Sequence, residues 1–117
     1  MPVHRRVEVS EIGQVTVVRF VDRKILDTAN IQELGDELSA LVEEGESTTL
    51  LLNFTRVEFL SSAALNKLIL LDRAVKKAGG RLKLCSLRPE IQEVFVITRL
   101  NQMFEIHDEE ADALAAF

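Results

Sequence analysis

The chain has 117 residues, 47% hydrophobic and 28% charged, with 14 basic against 19 acidic side chains and a formal net charge of −5. That length matches one domain able to bury about two-thirds of its unfolded surface, so a single domain over residues 1–117 is expected. The acidic balance, with no basic stripe interleaved with aromatics, argues against nucleic-acid binding, and no run approaches the roughly 20 apolar residues of a membrane span.

The start, Met1-Pro2-Val3-His4-Arg5-Arg6, lacks the apolar core of a signal peptide, so a cytoplasmic protein without membrane insertion is expected. With no Trp, no Tyr and six Phe, the core must be filled mostly by Leu, Val, Ile and Ala.

Val7–Ile12 and Val15–Phe20 alternate or run apolar around Gly13-Gln14, which predicts a hairpin that opens a sheet. Residues 21–26 either extend the second strand or form its exit loop. Asn30, with Glu33 three residues on, has the form of a capping box. Ile31, Leu34, Leu38, Leu41 and Val42 then make an apolar stripe ending near Gly45, the first long helix. Thr49-Leu50-Leu51-Leu52-Asn53-Phe54 is β-prone and apolar without alternation, as suits a central strand covered on both faces.

A second helix follows. Leu65, Leu68, Leu71 or Asp72, Val75 and Ala78 recur at three- and four-residue steps, with Asn66, Lys67, Arg73, Lys76 and Lys77 opposite, and Gly79-Gly80 stops it. The run Arg81-Leu82-Lys83-Leu84-Cys85-Ser86-Leu87 alternates and holds the single cysteine, Cys85, best explained as a buried strand thiol. Arg88-Pro89 opens a short helix through about Thr98, proline being suited to a first turn. Residues 103–106 read as a last short strand and 109–117 as a closing helix.

Strands alternating with helices of this length predict an α/β fold: a mixed, mostly parallel sheet of four to five strands with an N-terminal hairpin, flanked by about four helices. In such sheets functional loops lie at the carboxyl ends of strands. Loops 22–30, 55–62 and 86–90 qualify, and are expected to converge around Ser62.

The richest segment is Val57-Glu58-Phe59-Leu60-Ser61-Ser62-Ala63-Ala64-Leu65-Asn66, where two hydroxyls stand between a strand run and a helix. Ser61 or Ser62 is the natural N-cap, accepting from an unpaired N–H of the first turn. Capping alone accounts for such a serine. A phosphate at that place would also be stabilised by the helix dipole and free N–H groups, so a charge switch is the sharper reading.

Three segments together resemble the STAS domain and, within it, the bacterial anti-sigma factor antagonists, over about residues 15–117. They are Asp27-Thr28-Ala29-Asn30, the run from Leu50 through Asn53-Phe54-Thr55-Arg56 to Leu65, and Arg88-Pro89-Glu90-Ile91-Gln92-Glu93-Val94-Phe95 continuing through Thr98 to Ile106. In that family the junction reads Asp-Ser-Ser-Gly-Leu, and the first Ser is phosphorylated by an ATP-dependent partner that is both kinase and anti-sigma factor. Aligned on Phe59 and Leu65, the Asp position is Ser61, the phosphoacceptor is Ser62, the following Ser is Ala63 and the Gly is Ala64. The resemblance therefore implies phosphorylation at Ser62, with Ser61 the second choice. It implies a partner-binding face drawn from Asp27, Thr28, Asn30, Leu60, Ser61, Ser62, Ala63, Asn66 and Arg88. The implied partner is an anti-sigma factor of the ATP-binding serine-kinase type. No cofactor or metal is implied, and a weak homodimer is left open.

Catalytic readings find little support. The two serines lack a neighbouring base, His4 and His107 lie near the chain ends, and neither common glycine-rich phosphate loop is present. Two His and one Cys without close spacing give no zinc signature. A receiver-type phosphorelay domain would need an aspartate at the end of the central strand, where Asn53 stands. Two non-enzymatic readings remain open: a phosphoserine switch that binds and releases a kinase-type anti-sigma factor, and a constitutive interaction or scaffold subunit of a stress-signalling assembly or transporter, with no phosphoswitch.

Overall fold

Leu50, Leu51 and Leu52 are all buried, because their strand, β4 (Thr49–Asn53), is third of five and packed on both faces. The computed structural model describes residues 6–44 and 49–117, apart from the side chain of Glu44. His4, Arg5 and Gly45, the expected end of the first helix, lie outside them. The strand order is β1 (Val7–Ile12), β2 (Val15–Phe20), β4, β6 (Arg81–Cys85), β7 (Glu105–His107). Only β1 and β2 are antiparallel, joined across Gly13, whose φ of +62° suits a residue without a Cβ. The mixed, mostly parallel sheet with its opening hairpin is as expected.

The pleat sends alternate residues to opposite faces. Val18, Phe20, Leu50, Leu52 and Leu84 form the main core with α1 (Thr28–Glu44), α2 (Ser62–Lys77) and α3 (Pro89–Ile97). Phe20, Phe54, Phe95 and Phe104 continue it as a chain of rings with centroids 4.7, 6.4 and 5.8 Å apart. On the other face Val15, Val17, Leu51 and Cys85 pack under Ala113 of α4 (Glu110–Ala115), with Leu114 and Phe117 half-buried beside it. Cys85 is thus the buried strand thiol expected, and burial is the main cause that pushes its thiol up from the ordinary value.

The α2 stripe buries Ala64, Leu65, Leu68, Leu71, Asp72 and Val75, so both candidates at positions 71 and 72 point inward. Asp72 is held by Lys76 at 2.9 Å, whereas Ala78 is the exposed C-cap. Gly79, at φ +78°, donates to Lys76 O and Gly80 to Val75 O. This is a Schellman close that requires a left-handed residue at Gly79.

Four expectations need correction. The first helix is capped by Asp27, not Asn30: its Oδ1 accepts from the N–H groups of Ala29 (2.9 Å) and Asn30 (3.2 Å). Residues 21–26 and 55–62 are not wholly loop or extension. Lys24–Ile25 (β3) and Phe59–Leu60 (β5) pair as a separate two-stranded parallel sheet. The last strand starts at Glu105 rather than Met103, because Arg99 at φ +61° turns the chain into a 3₁₀ segment, Leu100–Gln102, and Phe104 is drawn onto Phe95. The closing helix is shorter than 109–117, running from Glu110 to Ala115.

Candidate functional site

The small β3–β5 sheet positions the serine junction. Arg23 O accepts from Glu58 N (2.7 Å) and Phe59 N (3.2 Å), and Ile25 O accepts from Ser61 N (3.1 Å), so loops 22–30 and 55–62 are tied backbone to backbone. Each strand feeds directly into a helix, β3 into α1 and β5 into α2. The strand pairs Lys24–Phe59 and Ile25–Leu60 have an offset of 35 residues, and Lys67 Nζ donates to Gln32 Oε1 (3.4 Å) across the helices at the same offset. The two helices therefore run side by side from neighbouring starts.

At the start of α2 the two serines divide their work. Ser61 is the N-cap, with extended backbone (φ −79°, ψ 166°), and its Oγ accepts from Ala64 N at 3.2 Å. Ser62 is the first helical residue; its side chain is exposed and has no hydrogen-bond partner among the described residues. Ala64 is buried completely and Ala63 is exposed. A helix start of this kind presents free N–H groups and the positive end of the dipole to any anion carried there.

The other residues singled out from the sequence fall as follows. Asp27 and Thr28 are exposed at the start of α1, and Asn30 is half-buried one turn in. Leu60 is half-buried against the main core, and Asn66 is exposed one turn beyond Ser62. Arg88 is exposed at the N-cap of α3 and makes no side-chain cap bond, with Pro89 at the first helical position. Loops 22–30 and 55–62 are brought together by hydrogen bonds. Loop 86–90 approaches through its helix, which touches β5.

Two further residues stand at the junction. Phe59 is 55% exposed, with the ammonium of Lys24 5.9 Å from its ring centroid, and Leu26 is 53% exposed just beyond β3. In the sequence, Val57 and Phe59 share an alternation that would bury both. Only Val57 is buried, because the strand register turns Phe59 outward.

Among the described residues, no group of three or more His, Cys, Asp or Glu is placed to hold a metal ion, and no helix is long and apolar enough to cross a membrane.

A family model of the STAS domain matches residues 6–113. The chain belongs to the STAS domain family. Among named relatives, this STAS domain is 33% identical over 93 residues to BtrV of Bordetella bronchiseptica, a candidate anti-sigma factor antagonist, covering 80% of this chain and 79% of that one. Its fold is similar to that of an anti-sigma-factor antagonist (STAS) domain protein from Planctomyces limnophilus, with a TM-score of 0.83 at 24% identity over 94% of this chain and 96% of that one. It is also similar to the Bacillus cell fate determinant SpoIIAA in its phosphorylated form, with a TM-score of 0.71 at 20% identity over 94% and 97% of the two chains. Sequence likeness thus places the chain with the anti-sigma factor antagonists, and the fold agrees.

Proposed function

We propose that this STAS domain is a non-enzymatic cytoplasmic regulator that binds an anti-sigma factor of the ATP-binding serine-kinase type and is released from it by phosphorylation of Ser62. The observation that supports the reading is the division between the two hydroxyls: Ser61 is committed to the helix cap, while Ser62 stands in solvent at the first helical position. A hydroxyl so placed is reachable by an enzyme, and modifying it costs the fold no hydrogen bond.

The chemistry of the switch follows from charge. Unmodified, Ser62 lies among Ala63, Leu60, Phe59 and Leu26, a surface suited to an apolar contact. A phosphate adds about −1.5 to −2 charge, which the helix start stabilises in the free protein. Pressed against an apolar partner, the same charge would be desolvated, so the complex loosens while the fold is retained. The N-terminus of α1, with Asp27, Thr28 and Asn30, flanks this face, and Arg88 at the start of α3 extends it.

Two experiments test the reading. Incubation with the cognate kinase and ATP, followed by peptide mass spectrometry, is expected to place a single phosphate on Ser62. Pull-downs from native extract are expected to recover a kinase-type partner with the wild type and Ser62→Ala but not with Ser62→Asp. Equal recovery by both variants overturns the switch. Binding without labelling of Ser62 would leave a constitutive interaction module in its place.

A further inference from the structure

The two long helices that start at the serine junction carry opposite charge. α1 holds five acidic side chains and no basic one, whereas α2 holds four basic and one acidic, in a chain whose formal net charge is −5. Part of each set is used within the fold. Asp72 of α2 is buried and held by Lys76, and on α1 Glu33 faces the Arg6 guanidinium while Glu37 accepts from the Arg6 backbone. Asp36 and Glu43 on α1 and Arg73 and Lys77 on α2 remain, all four exposed and none in an ion pair among the described residues.

These charges stand on matching ridges. On α1, Gln32, Asp36, Ser39 and Glu43 follow at steps of four, three and four, and all are exposed. On α2, Asn66, Leu70, Arg73 and Lys77 do the same. Each member of the second ridge lies 34 positions after its counterpart, the offset that also separates Thr28 and Ser62, the first residues of the two helices. Because α1 and α2 run side by side from paired parallel strands, Asp36 is level with Leu70, Ser39 with Arg73 and Glu43 with Lys77. Steps of three and four are those by which helices pack along their length.

A second copy of the chain satisfies both ridges at once. A two-fold axis parallel to the helices and midway between them lays α1 of one copy over α2 of the other, and the reciprocal contact is identical. Glu43 of one copy then meets Lys77 of the other at the same level, and Asp36 comes within a turn of Arg73, each pair twice. A two-fold at right angles to the helices would instead set acid on acid and base on base. Leu70, 46% exposed, gives the face an apolar centre. Helices of 17 and 16 residues are about 25 Å long and pack about 10 Å apart, so the contact covers about 1,000 Å² in total, the low end of specific interfaces.

We propose that the α1–α2 face is the contact of a weak, salt-sensitive homodimer held by Glu43–Lys77 and Asp36–Arg73 pairs between copies. The axis leaves both Ser62 junctions at one end of the dimer, and the contact does not depend on their modification.

The test is sedimentation equilibrium of the full chain from about 10 μM to about 1 mM, at about 20 mM and about 0.5 M sodium chloride. At low salt the average mass is expected to rise with concentration from 13.2 kDa toward twice that, and at high salt to stay near the monomer. Lys77→Glu and Glu43→Lys, both at exposed positions that hold no ion pair, should each keep the wild-type circular dichroism and raise the dimer Kd at least about tenfold. Mixing these two variants should restore association, since each supplies the charge that the other now needs. Ser62→Ala should dimerise like the wild type. A monomer at every concentration would leave the ridges to a different partner and overturn the proposal. So would a dimer indifferent to both substitutions, or a mixture of the two variants that stays monomeric.

Discussion

Lys67 of α2 lies across Gly35 of α1: a Cβ built on the glycine would stand 2.8 Å from Lys67 Cδ and 3.1 Å from Cε. The missing side chain lets the lysine stem cross closely and its ammonium reach Gln32. The obstacle is a flexible chain rather than backbone, and it moves cheaply.

Gly35→Ala is therefore expected to stabilise. The gain in helix propensity is about 1 kcal/mol, against the loss of a long, exposed hydrogen bond worth a few tenths. The urea midpoint should rise with an unchanged slope. A midpoint below that of the wild type would mean that Lys67 cannot move aside.

The two junction serines should separate in a stability measurement. Ser61→Ala removes the acceptor for Ala64 N and is expected to cost about 1 kcal/mol. Ser62→Ala touches no internal hydrogen bond and should stay within about 0.5 kcal/mol of the wild type. Thermal denaturation of the pair decides it, and equal losses would refute the assignment of Ser61 as the cap.

Phe59→Ala should leave stability nearly unchanged, since the ring is more than half in water, yet weaken capture of the anti-sigma partner by about 1–2 kcal/mol. The measurement is a binding isotherm with the partner recovered in the pull-down. An unchanged affinity would remove Phe59 from the contact face.

Across β6 and β7, buried Lys83 pairs with Glu105, whose Oε2 also meets His107 Nε2 at 2.6 Å. The bond from Lys83 first, and that from His107 second, hold the Glu105 carboxyl below its ordinary value. A carboxylate depressed in the folded state contributes stability that is present above its unfolded pKa of about 4.3 and is lost as pH falls through the lower folded value. Glu105→Gln is expected to cost about 1 kcal/mol at neutral pH and to lose less stability than the wild type on acidification below about pH 4. Parallel acid-unfolding curves for the two proteins would show that the pair carries no pH-dependent stability.

The long elements were legible because they repeat. The α2 stripe from Leu65 to Val75, the Gly79-Gly80 stop, the hairpin at Gly13 and the unbroken apolar run of β4 each present a period or a punctuation that local physics reads in one way. The serine junction was legible for the same reason, since a hydroxyl between a strand and a helix must cap or stand free.

Which hydroxyl does which, and what surrounds them, was settled by contacts between distant segments. Two residues of strand carry no periodicity, so β3 and β5 exist only through their pairing, and that pairing turns Phe59 outward. Asp27 and Asn30 are both competent caps; the backbone bends into α1 at Asp27, two residues beyond Ile25, where β3 ends. Amino-acid order sets local preferences that act over a few residues, whereas strand order and register are won by burying the whole core at once, and the candidate site lies where that larger requirement brings loops together.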